Sequence, residues 1–216
     1  MKTKTTLILV SLIVLASIIA GLAVYSQLPD QMASHWNAND EVDGYTTKFW
    51  GVFMLPMISA GLLMLFMLIP SIDPLKENIA EFREIFNAFI LVIELFLTYV
   101  WGLTIFWNLS PDSFEMGSAI LPAMGLLFIF VGYMIRSAKR NWFIGIRTPW
   151  TLSSDYVWEE THRLGSTLFI ISGIIAILSV FFGVYIVWFI LLPVLSSTAF
   201  LYIYSYTLYQ NETKND

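Results

Sequence analysis

The chain has 216 residues, of which 57% are hydrophobic and only 12% are charged, and its mean hydropathy is +0.72. Soluble domains average about 25% charged residues, so this composition excludes an ordinary soluble domain and indicates an integral membrane protein. The net charge of −5 argues against direct binding of nucleic acid, and the absence of cysteine excludes disulfides, thiolate catalysis and cysteine-based metal sites.

Long intervals with little or no charge define the membrane spans. A helix needs about 20 residues to cross the hydrocarbon core, because each residue advances it by about 1.5 Å. The last interval has 48 residues and predicts two spans, with the break at Phe182-Gly183, since glycine commonly ends helices. We therefore predict an all-α polytopic membrane protein with six transmembrane helices. The intervals are Thr5–Pro29, Phe49–Ile72, Ile85–Pro111, Met116–Ile135 and Leu164–Asn211.

The basic residues predict how the chain is oriented. Ten of the eleven Lys and Arg residues fall on the side that holds both termini, and only Lys48 falls on the other side. Cytoplasmic loops carry the excess of Lys and Arg, so we predict a multi-pass protein of the cytoplasmic membrane with both termini cytoplasmic. We expect residues 1–80 to form two helices joined by an extracellular hairpin loop at 28–48. Residues 81–216 are expected to form four helices with a cytoplasmic loop at 136–164.

The extracellular loop is acidic and rich in turn-forming residues between Asn37 and Gly44, which predicts a short hairpin on the membrane surface. Its acidic character would suit a cationic ligand. His35 with nearby carboxylates suggests a metal site, but one histidine with flexible carboxylates is a weak zinc site. The second histidine, His162, falls on the opposite side of the membrane. We therefore predict no metal, and a hairpin histidine bonded to backbone.

Glu94 lies near the middle of the third span, where an acidic residue is costly and is a functional candidate by default. Asn87, Thr98 and Trp101 are spaced to share its face of the helix. Two interpretations stay open. Glu94 is either a protonated packing residue that hydrogen-bonds a neighbouring helix, or the proton carrier of a transporter for small molecules or ions.

The cytoplasmic loop holds five of the eleven basic residues, three tryptophans and His162. No carboxylate dyad, nucleophile elbow or glycine-rich phosphate loop accompanies His162, Arg163 and Arg147, so these residues alone favour a structural role over a catalytic or anion-binding site, and we predict no cofactor. Taken alone, the pattern indicates arginines and tryptophans that reach the lipid headgroups. Ser153 or Ser154 is expected to cap a short surface helix that leads into the fifth span.

At these two loops the chain resembles the SdpI family of bacterial immunity membrane proteins. The inner match runs from Asn141 to Leu152 and continues with Val157-Trp158 and Thr161–Gly165. The outer loop resembles the small domain of unknown function that is usually fused ahead of the SdpI region. It departs at Asp40, where the hairpin tip usually has glycine. The outer matches are Leu28-Pro29, His35-Trp36-Asn37, Asp43-Gly44-Tyr45 and Lys48.

The resemblance implies a non-enzymatic membrane protein that gives immunity to a secreted antimicrobial peptide toxin. A further implied role is signalling, in which a cytoplasmic transcriptional repressor is recruited to the membrane. The outer loop would contact the toxin through His35, Trp36, Asn37, Asp43, Gly44, Tyr45 and Lys48. The inner motif would form a signalling or structural clamp from Asn141, Trp142, Gly145, Arg147, Thr148, Pro149, Trp150, Trp158, His162 and Arg163. Asn87 and Glu94 complete the candidate residues as polar groups within the membrane.

Overall fold

The computed structural model describes residues 1–185 and 187–215. Within that part of the chain, six helices are long and apolar enough to cross a membrane, which confirms the predicted architecture. The eight helices are α1 (Thr3–Val24), α2 (Lys48–Ile72), α3 (Lys76–Glu81), α4 (Arg83–Leu109), α5 (Met116–Ser137), α6 (Pro149–Ser153), α7 (Asp155–Leu178) and α8 (Trp188–Asn215). Two antiparallel strands, β1 (Gln31–Trp36) and β2 (Val42–Thr47), form the predicted hairpin between α1 and α2.

The break that was expected near the end of the chain is present. Helix α7 ends at Leu178, a 3-10 segment covers Ser179–Tyr185, and α8 begins at Trp188. The predicted Phe182-Gly183 break therefore falls inside the 3-10 segment. Pro193 lies within α8 and does not end it.

The two ends of the bundle differ in character. We call the end that carries the strands β1 and β2 the hairpin end. The opposite end, here called the loop end, holds α3 and the connection from α5 to α7. Lys2, just before α1, and Lys214, near the end of α8, also lie at the loop end, as expected for an even number of spans. That the loop end faces the cytoplasm remains a prediction.

Helices α5 and α7 pack closely because small residues face each other along their contact. An added Cβ at Gly125 would lie 2.5 Å from the carbonyl oxygen of Gly173, and one at Gly173 would lie 2.5 Å from that of Gly125. About two turns further along α5, a Cβ added at Gly132 would lie 2.7 Å from the carbonyl oxygen of Ser166. In lipid, where apolar side chains gain little by leaving the solvent, close backbone packing of this kind holds helices together.

Helix α4 is the centre of the amino-terminal half and packs against α1, α2 and α5. Phe86 and Ile90 on this helix enter the main apolar core together with Val10 and Val14 of α1. The polar face predicted for α4 is also present, since Asn87, Glu94 and Trp101 are all buried.

The helix that was predicted to begin at Ser153 or Ser154 is present and runs without a break into the fifth span, so this span begins earlier than the uncharged interval that starts at Leu164. Helix α7 begins at Asp155, nine residues before Leu164, and Ser154 caps α7 itself by accepting the Val157 N–H at 3.2 Å. The connection between the spans is therefore 138–154 rather than 136–164. A boundary drawn from charge fails here because this first part of α7 is amphipathic. It buries Val157, Trp158, Thr161 and His162 while Glu159 and Arg163 stay exposed.

Candidate functional site

The tip of the hairpin is built by Asn37. Its side-chain oxygen accepts the N–H groups of Asn39 at 2.8 Å and Glu41 at 3.1 Å, which closes the turn. Asp40 adopts the left-handed conformation with φ +65°. Glycine enters this region freely, whereas among the other residues aspartate and asparagine tolerate it best. Asp40 therefore adopts a backbone conformation that glycine enters readily, and it adds a carboxylate at the tip.

That carboxylate joins the hairpin to the start of α5. Oδ1 of Asp40 accepts the N–H of Gly117, in the first turn of α5, at 3.0 Å. The helix has no side-chain cap of its own at Glu115. An anionic group at a helix N-terminus is favourable because the first N–H groups are unpaired and the helix dipole is positive there. Asp40 thus supplies the missing cap from a distant part of the chain.

Asn108, near the end of α4, fixes the other side of the hairpin. Its side chain accepts the N–H of Ala33 at 2.8 Å and donates to the carbonyl oxygen of the same residue at 3.0 Å. This pair of bonds imitates the pairing of a neighbouring strand. Met32 packs beside them against Gly51 of α2, where an added Cβ would lie 2.6 Å from the Met32 sulfur. The hairpin is therefore held to three helices.

We expect Asn108→Ala to loosen the hairpin. The change removes two buried hydrogen bonds, each worth about 1 kcal/mol net, so docking should weaken by about 2 kcal/mol. Amide hydrogen exchange of Gln31–Thr47 in detergent should accelerate, while exchange in α5 and α7 stays as it was. Asn108→Asp keeps the acceptor for Ala33 and should show an intermediate effect. Unchanged exchange in both variants would contradict this role of Asn108.

A cavity of about 390 Å³ lies beneath the hairpin. Its roof is the hairpin around Ser34–Asn37, and α4 contributes Val100 and Thr104. Its sides come from α2 and α5, and Val187 before α8 also borders it. Several of the lining groups are apolar, and the polar groups are concentrated in the roof. The remaining side-wall residues are Trp50, Gly51, Met54 and Leu55 of α2 and Met116, Gly117, Ile120 and Leu121 of α5.

The structure brings three of the predicted toxin-contact residues together, because His35, Trp36 and Asn37 all border the cavity. Asp43 reaches the same area indirectly, because its carboxylate accepts a hydrogen bond from Nδ1 of His35. The expected backbone bond of His35 is replaced by this side-chain pair.

The other three predicted contact residues stand apart from the cavity. Gly44 lies behind His35, where a Cβ would be 2.8 Å from the Cβ of His35. Tyr45 is exposed, and Lys48 pairs with Asp30 at 3.1 Å. Sequence reasoning missed Asp40, Thr104 and the two methionines Met54 and Met116, since nothing in the local sequence shows that three helices converge under the hairpin.

At the loop end, the segment that follows α5 folds around Asn141. Its Oδ1 accepts the N–H of Phe143 at 2.9 Å and that of Ile144 at 2.6 Å, and its Nδ2 donates to the carbonyl oxygens of Lys139 and Ile144. Asn141 is fully buried. One side chain therefore satisfies four backbone groups, which explains why the turn needs asparagine at this position.

His162 holds the next part of the loop. Its Nδ1 donates to the carbonyl oxygen of Trp158 at 2.8 Å, and its Nε2 accepts the N–H of Ile146 at 2.9 Å. The imidazole stacks on the indole of Trp158 with the ring centres 3.9 Å apart. Gly145, with φ +118°, passes so close that a Cβ would lie 2.4 Å from Nε2 of His162. The histidine is thus engaged as a structural hydrogen-bonding group on both ring nitrogens.

The last part of the loop is locked to α8. Thr148 and Thr151 form a reciprocal capping box at the start of α6, with Pro149 at its first position, and Thr148 also bonds Ser205 of α8 at 3.0 Å. Trp150 packs against the rings of Tyr202 and Tyr206 at 5.0 Å each.

The two predicted arginines differ from these buried groups. Arg147 donates to the carbonyl oxygen of Trp142 at 2.7 Å, and Arg163 pairs with Glu160. The side chains of Arg147, Trp142 and Phe143 remain exposed. The motif is therefore a backbone clamp with a basic and aromatic outer surface.

Two charged residues that sequence reasoning did not single out complete this clamp. The carboxylate of Asp73, buried at the end of α2, accepts the N–H of Leu75 at 2.6 Å and that of Trp142 at 2.9 Å. Arg140 donates to the carbonyl oxygen of Leu152 at 2.9 Å and pairs with Asp155 at 2.7 Å. A charge that follows an apolar run gives no sequence signal of which distant backbone it will bind.

Glu94 lies at the contact of α1, α2 and α4 and is 1% exposed. Its Oε1 makes no hydrogen bond to any part of the chain that the structure describes. The void beside it, bordered by Ser17, Ser59 and Thr98, has no room for a water molecule. This environment suits a neutral carboxyl group that packs between helices.

Comparison with known proteins finds that two regions of the chain match protein families. Residues 137–206 match the SdpI/YfhL protein family, and residues 12–60 match a domain of unknown function, DUF1648. The chain is also similar to the immunity protein SdpI of Bacillus subtilis (strain 168), at 27% identity over 200 residues, which cover 92% of this chain and 93% of that protein. No solved structure matches the chain.

Proposed function

Because the chain carries an SdpI/YfhL family region behind a DUF1648 region, we propose that this multi-pass membrane protein gives its cell immunity to a secreted peptide toxin. In the proposed orientation, the hairpin end faces outward and meets the toxin before it damages the membrane. The proposed role is one of binding, without chemical turnover.

One observation carries this proposal, namely that the hairpin end is acidic, anchored to three helices and hollow. Six carboxylates lie in its loops and strands and one lysine lies at the start of α2, so a cationic peptide would be attracted to it. The hairpin is held to α2, α4 and α5 over an open cavity, which gives a ligand a preformed site. The acidic residues are Asp30, Asp40, Glu41, Asp43, Asp112 and Glu115.

Signalling through a cytoplasmic repressor is the finer part of the proposal. The loop end presents Trp142 and Phe143 as exposed aromatic residues beside Arg147, which suits the docking of a soluble partner. The clamp behind them is firmly bonded, so a partner would meet a fixed surface. A structural change caused by toxin binding at the hairpin end would then have to be transmitted through the helix bundle to this surface.

A survival assay tests the immunity role. A sensitive host that expresses the protein should survive secreted cationic peptide toxins, and the combined change His35→Ala, Trp36→Ala and Asp43→Asn should abolish protection while membrane levels stay equal. Trp142→Ala removes an exposed tryptophan from the opposite end and is the matched control, which should still protect. Full protection by the triple variant at normal membrane levels would contradict toxin contact at the hairpin.

A proton-coupled transporter that uses Glu94 is the second candidate. The unpaired Oε1 of Glu94 favours it, whereas the lack of space for water in the adjoining void does not. The same survival assay separates the two functions when Glu94→Gln is added. This change preserves shape and removes the titratable proton, so protection should persist if the protein acts by binding. Loss of protection in correctly inserted Glu94→Gln protein would favour transport.

A further inference from the structure

The cavity beneath the hairpin extends well along the helices that are long and apolar enough to cross a membrane. Val100 borders it and lies nine residues before Leu109, the end of α4. At about 1.5 Å per residue, this places the lower part of the cavity about 13 Å below the hairpin end of the helix. Half of a hydrocarbon core is about 15 Å thick. A ligand in the cavity would therefore occupy the depth of one lipid leaflet rather than the aqueous surface.

The chemistry of the cavity changes along this depth. Its lower walls are apolar and include Leu55, Val100 and Leu121, whereas Ser34, Asn37 and Asp40 stand at the top. Trp36 also borders it, although its indole N–H is buried away from the open space. The site therefore fits a molecule with a deep apolar part and a polar, positively charged upper part.

The environment of the Asp40 carboxyl favours a ligand with a positive charge. Burial raises the pKa of its carboxyl above the ordinary value, although the hydrogen bond from Gly117 acts in the opposite direction, and the charge of Glu115 raises it further. A cation beside Asp40 would offset both the burial and the repulsion from Glu115. An anionic lipid headgroup would instead meet two carboxylates.

We propose that this cavity binds an amphipathic cationic peptide from within the hairpin-side leaflet, with its apolar side chains between α2 and α5 and a lysine or arginine against Asp40. The proposal rests on the immunity role and deepens it, because it names the class of ligand and its path of approach. Recognition thus occurs in the lipid phase, after the peptide has inserted and before it crosses.

The test uses the full-length protein in phosphatidylcholine nanodiscs. The probe is a synthetic amphipathic peptide of leucine and lysine that carries one benzophenone group on its apolar face. Benzophenone reacts readily with methionine, and Met54 and Met116 border the cavity. Illumination should link the peptide to these two residues, and mass spectrometry of the digested protein identifies the linked positions.

Two pairs of variants decide the result. Thr104→Phe fills the cavity and should weaken peptide binding about tenfold or more, whereas Thr104→Ser leaves the space open and should bind as the original does. Asp40→Asn keeps the acceptor for Gly117 and removes the charge. It should weaken binding about fivefold and reduce the dependence of binding on salt. Asn39→Asp, which adds a charge at the exposed tip, serves as the control for a general charge effect.

Links outside the cavity, or links that Thr104→Phe does not reduce, would overturn the proposal. So would preferential labelling of Met54 and Met116 by a phosphatidylcholine with benzophenone in its acyl chain, because the cavity would then be a lipid site. The readout is separate from cell survival. If the protein binds the probe in nanodiscs but does not protect the host, the immunity role alone is refuted. If it protects the host but does not bind the probe, binding at this cavity alone is refuted.

Discussion

Gly145→Ala should cost roughly 3–4 kcal/mol of stability and disassemble the clamp at the loop end. Gly145 has φ +118°, which an alanine rarely adopts, and its new methyl group would lie 2.4 Å from Nε2 of His162 and 3.2 Å from the Trp158 ring. The methyl group therefore displaces the imidazole that accepts the Ile146 N–H. The effect is measured by thermal denaturation in detergent, with the loss of the monodisperse peak in size-exclusion chromatography as the readout.

Gly61→Ala is the matched control for this change. Gly61 lies inside α2 and an added Cβ there meets nothing within 4 Å, so the substitution should be neutral or stabilise by up to about 1 kcal/mol. If Gly145→Ala denatures at the same temperature as Gly61→Ala, the loop does not depend on the close approach of Gly145 to His162. Adding His162→Ala should restore part of the stability lost in Gly145→Ala, because it removes the Nε2 atom that the new methyl group would overlap.

Gly173→Leu is expected to separate α5 from α7, with a loss of at least about 3 kcal/mol. The obstacle is the carbonyl oxygen of Gly125, 2.5 Å from the new Cβ, and a backbone atom in a helix cannot rotate away as a side chain can. The helices must therefore move apart along their whole contact, including the pair Gly132 and Ser166. Protein in detergent should aggregate or unfold well below the temperature of the original.

Gly61→Leu again provides the comparison, since it places the same side chain on an exposed helix surface. It should leave denaturation nearly unchanged. Gly173→Ala separates strain from bulk, because its smaller methyl group meets the same oxygen and should show a large part of the loss. Equal stability of Gly173→Leu and Gly61→Leu would mean that the α5 and α7 backbones do not touch at this point.

Hydrophobic length predicted the spans well because the bilayer imposes one clear requirement on a helix. The uncharged interval alone placed the start of the fifth span too late, because at the beginning of α7 Trp158 and His162 are buried against protein while their charged neighbours are exposed. Hydropathy averages over both faces and cannot separate them. The same limit explains why the face of α4 with Asn87, Glu94 and Trp101 was found, since helical spacing rather than mean hydropathy revealed it.

The candidate site was only half predictable. His35, Trp36 and Asn37 were identified from the outer loop, and they do border the cavity. The side walls come from α2 and α5, whose lining residues look like any other lipid-facing or packing residue in the sequence. Asn108 and Asp73 bind backbone that is far away along the chain, and a single sequence carries no sign of such pairs.

The central position of α4 has a consequence for exchanging parts between relatives. The two matched regions end at residue 60 and resume at residue 137, so α4 belongs to neither of them. Yet α4 supplies the packing surface for α1 and α2 on one side and for α5 on the other, and it anchors the hairpin through Asn108. A chimera that joins the amino-terminal region of one relative to the carboxyl-terminal region of another must therefore transplant α4 together with the hairpin, or the hairpin will lose the side chain that anchors it.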